Sequence, residues 1–153
     1  MKILKNFLRT AALIALIGSG QACKKNNTGN QDSEFKYTYQ NKTVALAGGT
    51  YLLADGQAHL FLEPAGVHGA VHFIFSNSNK IPTGTYSLNG NSSTPTNFVA
   101  GSLGSSEASP LGDAMTGGKV TIERSGGGYA VSFDVNTAKG NAKGDFTGNF
   151  KAR

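Results

Sequence analysis

The chain has 153 residues, of which 39% are hydrophobic and 15% charged, with 21 glycines, one cysteine and a formal net charge of +5. Lys2, Lys5 and Arg9 precede the folded part. Residues 23–153 therefore carry eleven basic against nine acidic groups, an excess that Lys24 and Lys25 account for. A single cysteine excludes a disulfide within the chain, and a near-neutral domain without clustered Lys/Arg excludes the footprint of a nucleic-acid binder.

Residues 1–22 read as a signal peptide. Lys2, Lys5 and Arg9 form a positive start, Ala11 to Ile17 an apolar run, and Gly18 to Gly20 a break before Ala22. A spanning helix needs about 20 mostly apolar residues, more than the stretch between Arg9 and Gly18 supplies. Cys23 follows in "GSGQACKKNN". Gly20-Gln21-Ala22 suits an ordinary signal peptidase, which would leave a secreted protein with a terminal thiol. The segment also resembles a bacterial lipobox, with Ala22 in place and Gly20 where Leu is usual. That resemblance implies a diacylglycerol on Cys23. "CKKNNTGNQDS" has no apolar residue after the cysteine, as a hydrophilic tether would. The reading is a lipidated Cys23, a tether over 23–33, and one domain over 34–153.

From residue 34 the pattern alternates with period two, and no stretch has helical periodicity. Phe35, Tyr37 and Tyr39 share a face. Residues 40–42 turn, and Val44 and Leu46 align in "TVALA". "GTYLLAD" follows, then Asp55-Gly56, a hairpin signal. Ala58, Leu60 and Leu62 align, 64–66 turn, and Val71, Phe73 and Phe75 align. "GTYSL" carries Tyr86 and Leu88. Residues 89–97 read as a loop, "FVAGSL" as a short strand, and 104–117 as the longest irregular stretch. Val120 and Ile122, then Tyr129, Val131, Phe133 and Val135, then Phe146 and Phe150, complete the series. This predicts an all-β fold of about 8–10 short strands: an antiparallel β-barrel or barrel-like sandwich, with a two-sheet sandwich as the alternative. Parallel pairing is not expected, because no helical crossover is available.

"IPTGTYSL", "GGKVTIERSGGGYAVSFDV" and "GNAKGDFTGNF" are similar to a pattern in small uncharacterised lipoproteins of diderm bacteria. There a P-x-G-x-Y strand precedes G-x-V-T-I/V, a glycine turn, Y-x-I/V-x-F-D and a closing G-x-F/Y-x-G. The resemblance spans roughly 34–150. It implies an extracytoplasmic, calycin-like β-domain and brings no activity or functional residues.

The candidate chemistry is sparse. His68 and His72 lie four apart, roughly 13 Å along a strand, too far to share a metal. If 58–63 and 70–75 form a hairpin, one register sets His59 across from His72, outside the core, where Glu63 could complete a metal site. Two solvent-facing histidines are the alternative, and no cofactor is expected. Glu123 and Asp134 could face each other across "SGGG", but both point away from the core, where pairing with Arg124 or a lysine is the leading expectation, and a glycosidase needs carboxylates flanking a cleft. There is no G-x-S-x-G. "GDAMTGGK" has the wrong spacing for a P-loop, with Val120 where Ser or Thr is required.

The functional expectation is a non-catalytic β-domain held at a cell-envelope membrane through Cys23. The outer membrane is expected, its periplasmic face ahead of the surface because Lys24 and Lys25 stand where surface-exported lipoproteins often carry acidic residues. Such a domain would bind a small apolar ligand or lipid in the barrel. Alternatively it would contact an envelope protein or glycan through loops 89–97 and 104–117. A hydrolase is the weakest reading.

Overall fold

A computed structural model describes residues 35–66, 69–88, 96–104 and 112–153. Cys23, the leader, the tether, His68, residues 89–95 of the 89–97 segment and residues 105–111 of the 104–117 segment lie outside them. Among the described residues there are ten strands and no helix. They are β1 (Lys36–Tyr39), β2 (Lys42–Ala54), β3 (Gln57–Pro64), β4 (Val71–Ser76), β5 (Gly84–Ser87), β6 (Asn97–Leu103), β7 (Asp113–Ser125), β8 (Gly128–Thr137), β9 (Gly140–Gly148) and β10 (Phe150–Ala152).

Eight strands close a barrel in the order β1-β9-β8-β7-β6-β4-β3-β2, with β2 returning to β1. Alternation decides which way each side chain points. Along β3, Ala58, Leu60 and Leu62 are buried while Gln57, His59, Phe61 and Glu63 are half-exposed. Val71, Phe73 and Phe75 on β4, Val120 and Ile122 on β7, and Val131, Phe133 and Val135 on β8 fill the same interior. Aromatic rings meet edge-on there, Phe73 against Phe98 at 5.7 Å and Phe133 at 5.4 Å, and Phe75 against Tyr86 at 5.2 Å. Edge-on rings at such distances are favourable beyond the area they bury.

Two-residue turns make the short hairpins. Gln40 and Asn41 both adopt positive φ, 50° and 59°, as do Asp55 and Gly56 at 52° and 72°. Such turns match the twist of the strands they join.

The barrel has two distinct ends. Phe35 enters at the near end, which also carries turns 55–56 and 126–127. Turns 40–41 and 138–139 lie at the far end, where β6 and β7 meet through Leu103 and Asp113. β6 pairs with β7 only there, so the wall opens toward the near end. β5 lies along β7 in that gap, Tyr86 opposite Val120.

Three features depart from the sequence reading. "TVALA" and "GTYLLAD" are one strand, β2, with an irregularity between Leu46 and Gly48. Residues 113–117 belong to β7, with a second irregularity between Met115 and Gly117, so the irregular stretch is shorter than 104–117. One pairing is parallel: β10 runs beside β2, Phe150 opposite Gly49 and Ala152 opposite Tyr51. The reason is one of parity. β9 and β2 run in the same direction, and β1 separates them only over residues 36–39. Beyond β1, the chain leaving β9 meets β2 directly, and the two can pair only in parallel. No crossover is needed, because the partners are 101 residues apart in sequence but adjacent around the barrel.

Candidate functional site

The outer wall of β2, β3 and β4 carries an unusual set of side chains. Thr50, Leu52, His59, Phe61, Glu63, His72 and Ile74 all point outward, and Leu52 is 40% exposed. His59 Nδ1 lies 3.1 Å from His72 Nε2. The two rings are nearly parallel, at 22° with centroids 5.3 Å apart. One imidazole donates its N–H to the other's lone pair. The expected register is off by two. His59 stands opposite Ile74, and His72 opposite Phe61. The histidines are therefore diagonal neighbours, which long side chains on one face can still bridge.

Phe61 stacks on His72, with centroids 4.2 Å apart and planes at 12°. The Arg153 guanidinium lies over the Phe61 ring at 3.7 Å. A continuous stack thus runs Arg153, Phe61, His72, His59 across four positions of the sheet. Burial, then the neighbouring His59, then the Arg153 charge hold the His72 pKa down to about 4. His72 is consequently neutral near pH 7.

Glu63 does not join the histidines. Its Oε1 accepts from the Thr50 hydroxyl at 2.8 Å and pairs with the Arg153 guanidinium, which also donates Nε–H to Thr50 Oγ1 at 2.8 Å. Phe61 lies between Glu63 and the imidazole pair along β3. Among the described residues no group of three or more His, Cys, Asp or Glu side chains is arranged around a common point.

Beside this wall is a cleft of about 410 Å³, lined by Phe35, Gly48, Gly49, Glu63, Phe146 and Asn149 among others. It lies at the seam where β1 begins and β10 takes over its place against β2. Phe35 meets Phe146 at 5.6 Å, Phe146 meets Phe150 at 5.5 Å, and Phe150 meets Tyr129 at 5.8 Å, all edge-on. The Arg124 guanidinium closes this row 4.3 Å above Tyr129. Gly49 is required here, because a Cβ would come within 2.8 Å of the Phe150 ring.

The far end is polar. Tyr39, 8% exposed, donates its hydroxyl to Asp113 Oδ2 at 2.8 Å and lies 2.8 Å from Thr137 Oγ1. Lys139 closes the group with an ion pair to Asp113 at 2.7 Å. These contacts, the Lys139 hydrogen bond first and that from Tyr39 next, hold the Asp113 carboxyl below its ordinary value. A surface recess of about 470 Å³ opens alongside, between Gln40, Asn41, Lys139 and Asn141.

The remaining two candidate carboxylates do not face each other. Glu123 lies opposite Ala130, while Asp134 lies opposite Lys119 and, as expected of an outward carboxylate, pairs with a lysine, Lys143, at 2.8 Å. Sequence reasoning did not find Arg153 and Phe61 as part of the histidine stack, nor Asp113 beneath Tyr39. The only available signal for the first group was the outward alternation of β3 and β4. No protein-family model, curated protein or solved structure matches this chain.

Proposed function

We propose that the chain is an envelope lipoprotein, tied to a membrane through Cys23, whose β-barrel is a non-catalytic binding module using its surface. The observation that carries this reading is the filled interior. Leu60, Leu62, Phe73, Phe75, Phe98, Val120, Ile122 and Val131 are all at most 2% exposed and pack on one another. A carrier would need an apolar space of about 300 Å³ or more, and these side chains stand where it would be.

The position of the two ends supports the same reading. Tyr39, Asp113 and Lys139 gather as a polar cluster at the far end, the chemistry a surface contact with a partner would use. Leu103 and Asp113, which flank 105–111, lie at that far end, whereas Asn97, which follows 89–95, lies at the near end. The 105–111 segment is the one proposed to contact an envelope protein or glycan.

The test begins with a mass spectrum of protein taken gently from its own membranes. A denatured mass of residues 23–153 plus acyl chains supports the anchor, and a bare mature mass overturns it. Exchanging residues 105–111 for Gly and Ser, with Lys139→Glu, should then abolish cross-linking to the envelope partner while preserving the β-sheet spectrum. Unchanged cross-linking overturns the far-end assignment. A second reading, a small apolar ligand, is favoured by the phenylalanine-lined cleft at the β1/β10 seam. It predicts an extra mass under native conditions that Gly48→Leu removes, since a Cβ at Gly48 meets nothing within 4 Å and points into open space.

A further inference from the structure

The imidazole pair on the outer wall has a geometry that the proposed surface binding does not use. Two nitrogens bound to one zinc at about 2.0–2.1 Å in a tetrahedral arrangement stand about 3.3 Å apart. His59 Nδ1 and His72 Nε2 stand 3.1 Å apart. From this geometry we infer that His59 and His72 form a two-histidine chelate for a divalent late first-row transition ion, of which zinc is the simplest, with water completing its coordination.

The sheet fixes the bite of this chelate. β3 is paired on both edges, by β2 and β4, and β4 is paired on both edges, by β3 and β6. The two Cα positions therefore cannot drift apart as they would in a loop. The rings lie 22° from parallel and meet nitrogen to nitrogen. Their lone pairs must turn outward to converge on a cation, a rotation about each Cβ–Cγ bond that leaves the backbone in place. The proton now shared between the rings moves to the other nitrogen of the donor imidazole. Two imidazoles that each carry a single N–H thus bind the metal without net proton release, and no bond breaks beyond the ring-to-ring hydrogen bond.

The groups around the pair set its selectivity. Ile74 and Leu52 flank it across β4 and β2, Phe61 covers one face of His72, and Ser102 stands opposite His72 on β6. One neutral hydroxyl falls far short of the oxygen cage that calcium and magnesium require, which leaves imidazole nitrogen as the principal donor. Arg153, the nearest cation, lies on the other side of Phe61, and Glu63 neutralises it. Glu63 is not a ligand here, although it shares the face.

The test is a zinc chloride titration of the purified full chain near pH 7.5, followed through the imidazole nitrogens by ¹H–¹⁵N NMR. Site-resolved shifts separate this pair from Cys23 and His68. The expected result is that His59 and His72 respond together and saturate at one equivalent. His59→Gln and His72→Gln should each weaken that site by at least tenfold, while Glu63→Gln and His68→Gln change it less than twofold. A Cu²⁺ probe should broaden amides of β3 and β4 first. The inference is overturned if neither imidazole responds to a tenfold excess of zinc. It is equally overturned if His59→Gln leaves the His72 response intact, or if zinc is held only at Cys23 or His68.

Discussion

At the scale of single residues, the far end of the barrel depends on one hydroxyl. Tyr39 reaches both Asp113 and Thr137 from an almost fully buried ring. Tyr39→Phe should therefore cost about 1–2 kcal/mol in urea unfolding, because it leaves shielded acceptors with one fewer donor. The pH dependence follows from Asp113. Its folded pKa lies below the ordinary 3.8, so the native state binds fewer protons than the unfolded chain over that interval. The stabilisation is fully present above the unfolded value and disappears as pH falls through the lower, folded one. Lys139→Met should flatten the acid limb of a stability–pH curve below pH 4, and an unaltered limb would contradict the assignment. Residue-level reading of the sequence was partly successful. That His59 and His72 share an outward face follows from the alternation of "AHLFLE" and "AVHFIFS". Their register does not, because it depends on the 65–70 connection, whose geometry the residue types leave open.

At the scale of elements, β10 is three residues long and holds the seam through Phe150. That ring contacts Phe146 and Tyr129 and lies over Gly49. Phe150→Ala should destabilise by about 2–3 kcal/mol, toward the lower end for a large aromatic because the ring is only partly buried. Gly49→Ala should cost about 1–3 kcal/mol by forcing that ring aside. Thermal unfolding of both variants and of the double variant checks the coupling. The two effects should fall short of additive, since the alanine at 49 has no ring to displace once Phe150 is gone. The strands with clean alternation, β3, β4, β8 and the second half of β7, were legible in the sequence. β2 was not legible as one strand, because Gly48-Gly49 reads as a break when isolated and becomes a close approach only once β10 is present. The parallel pairing was hidden for the same reason, since it follows from which strands end up adjacent around the barrel.

At the scale of the whole molecule, most pairings join neighbours in sequence, while β1–β9 and β2–β10 join the two ends. Hydrogen exchange should follow that division. Amides of β8 should be the most protected, because β8 is paired along its length by β7 on one side and β9 on the other. Those of β10 should exchange first. Equal protection of β8 and β10 would show that the seam is as strong as the wall. The barrel class was legible from the number and length of strands and from turns at regular spacing. Which side chains gather at each end was not, because that depends on the order of strands around the barrel, a property of the closed topology.

The seam also bears on how the protein is made. β2 acquires its parallel partner only when residues 150–152, about a hundred positions later, have been synthesised, and β1 waits similarly for β9. A growing chain can build β1 to β4 early and add β6 by residue 103, yet the outer edge of β1 and the 49–51 stretch of β2 stay unpaired until synthesis is nearly finished. Closure of the barrel is thereby postponed until the last strands are available. The same delay leaves residues 49–51 of β2 open to any extended segment nearby in the interval before β10 emerges.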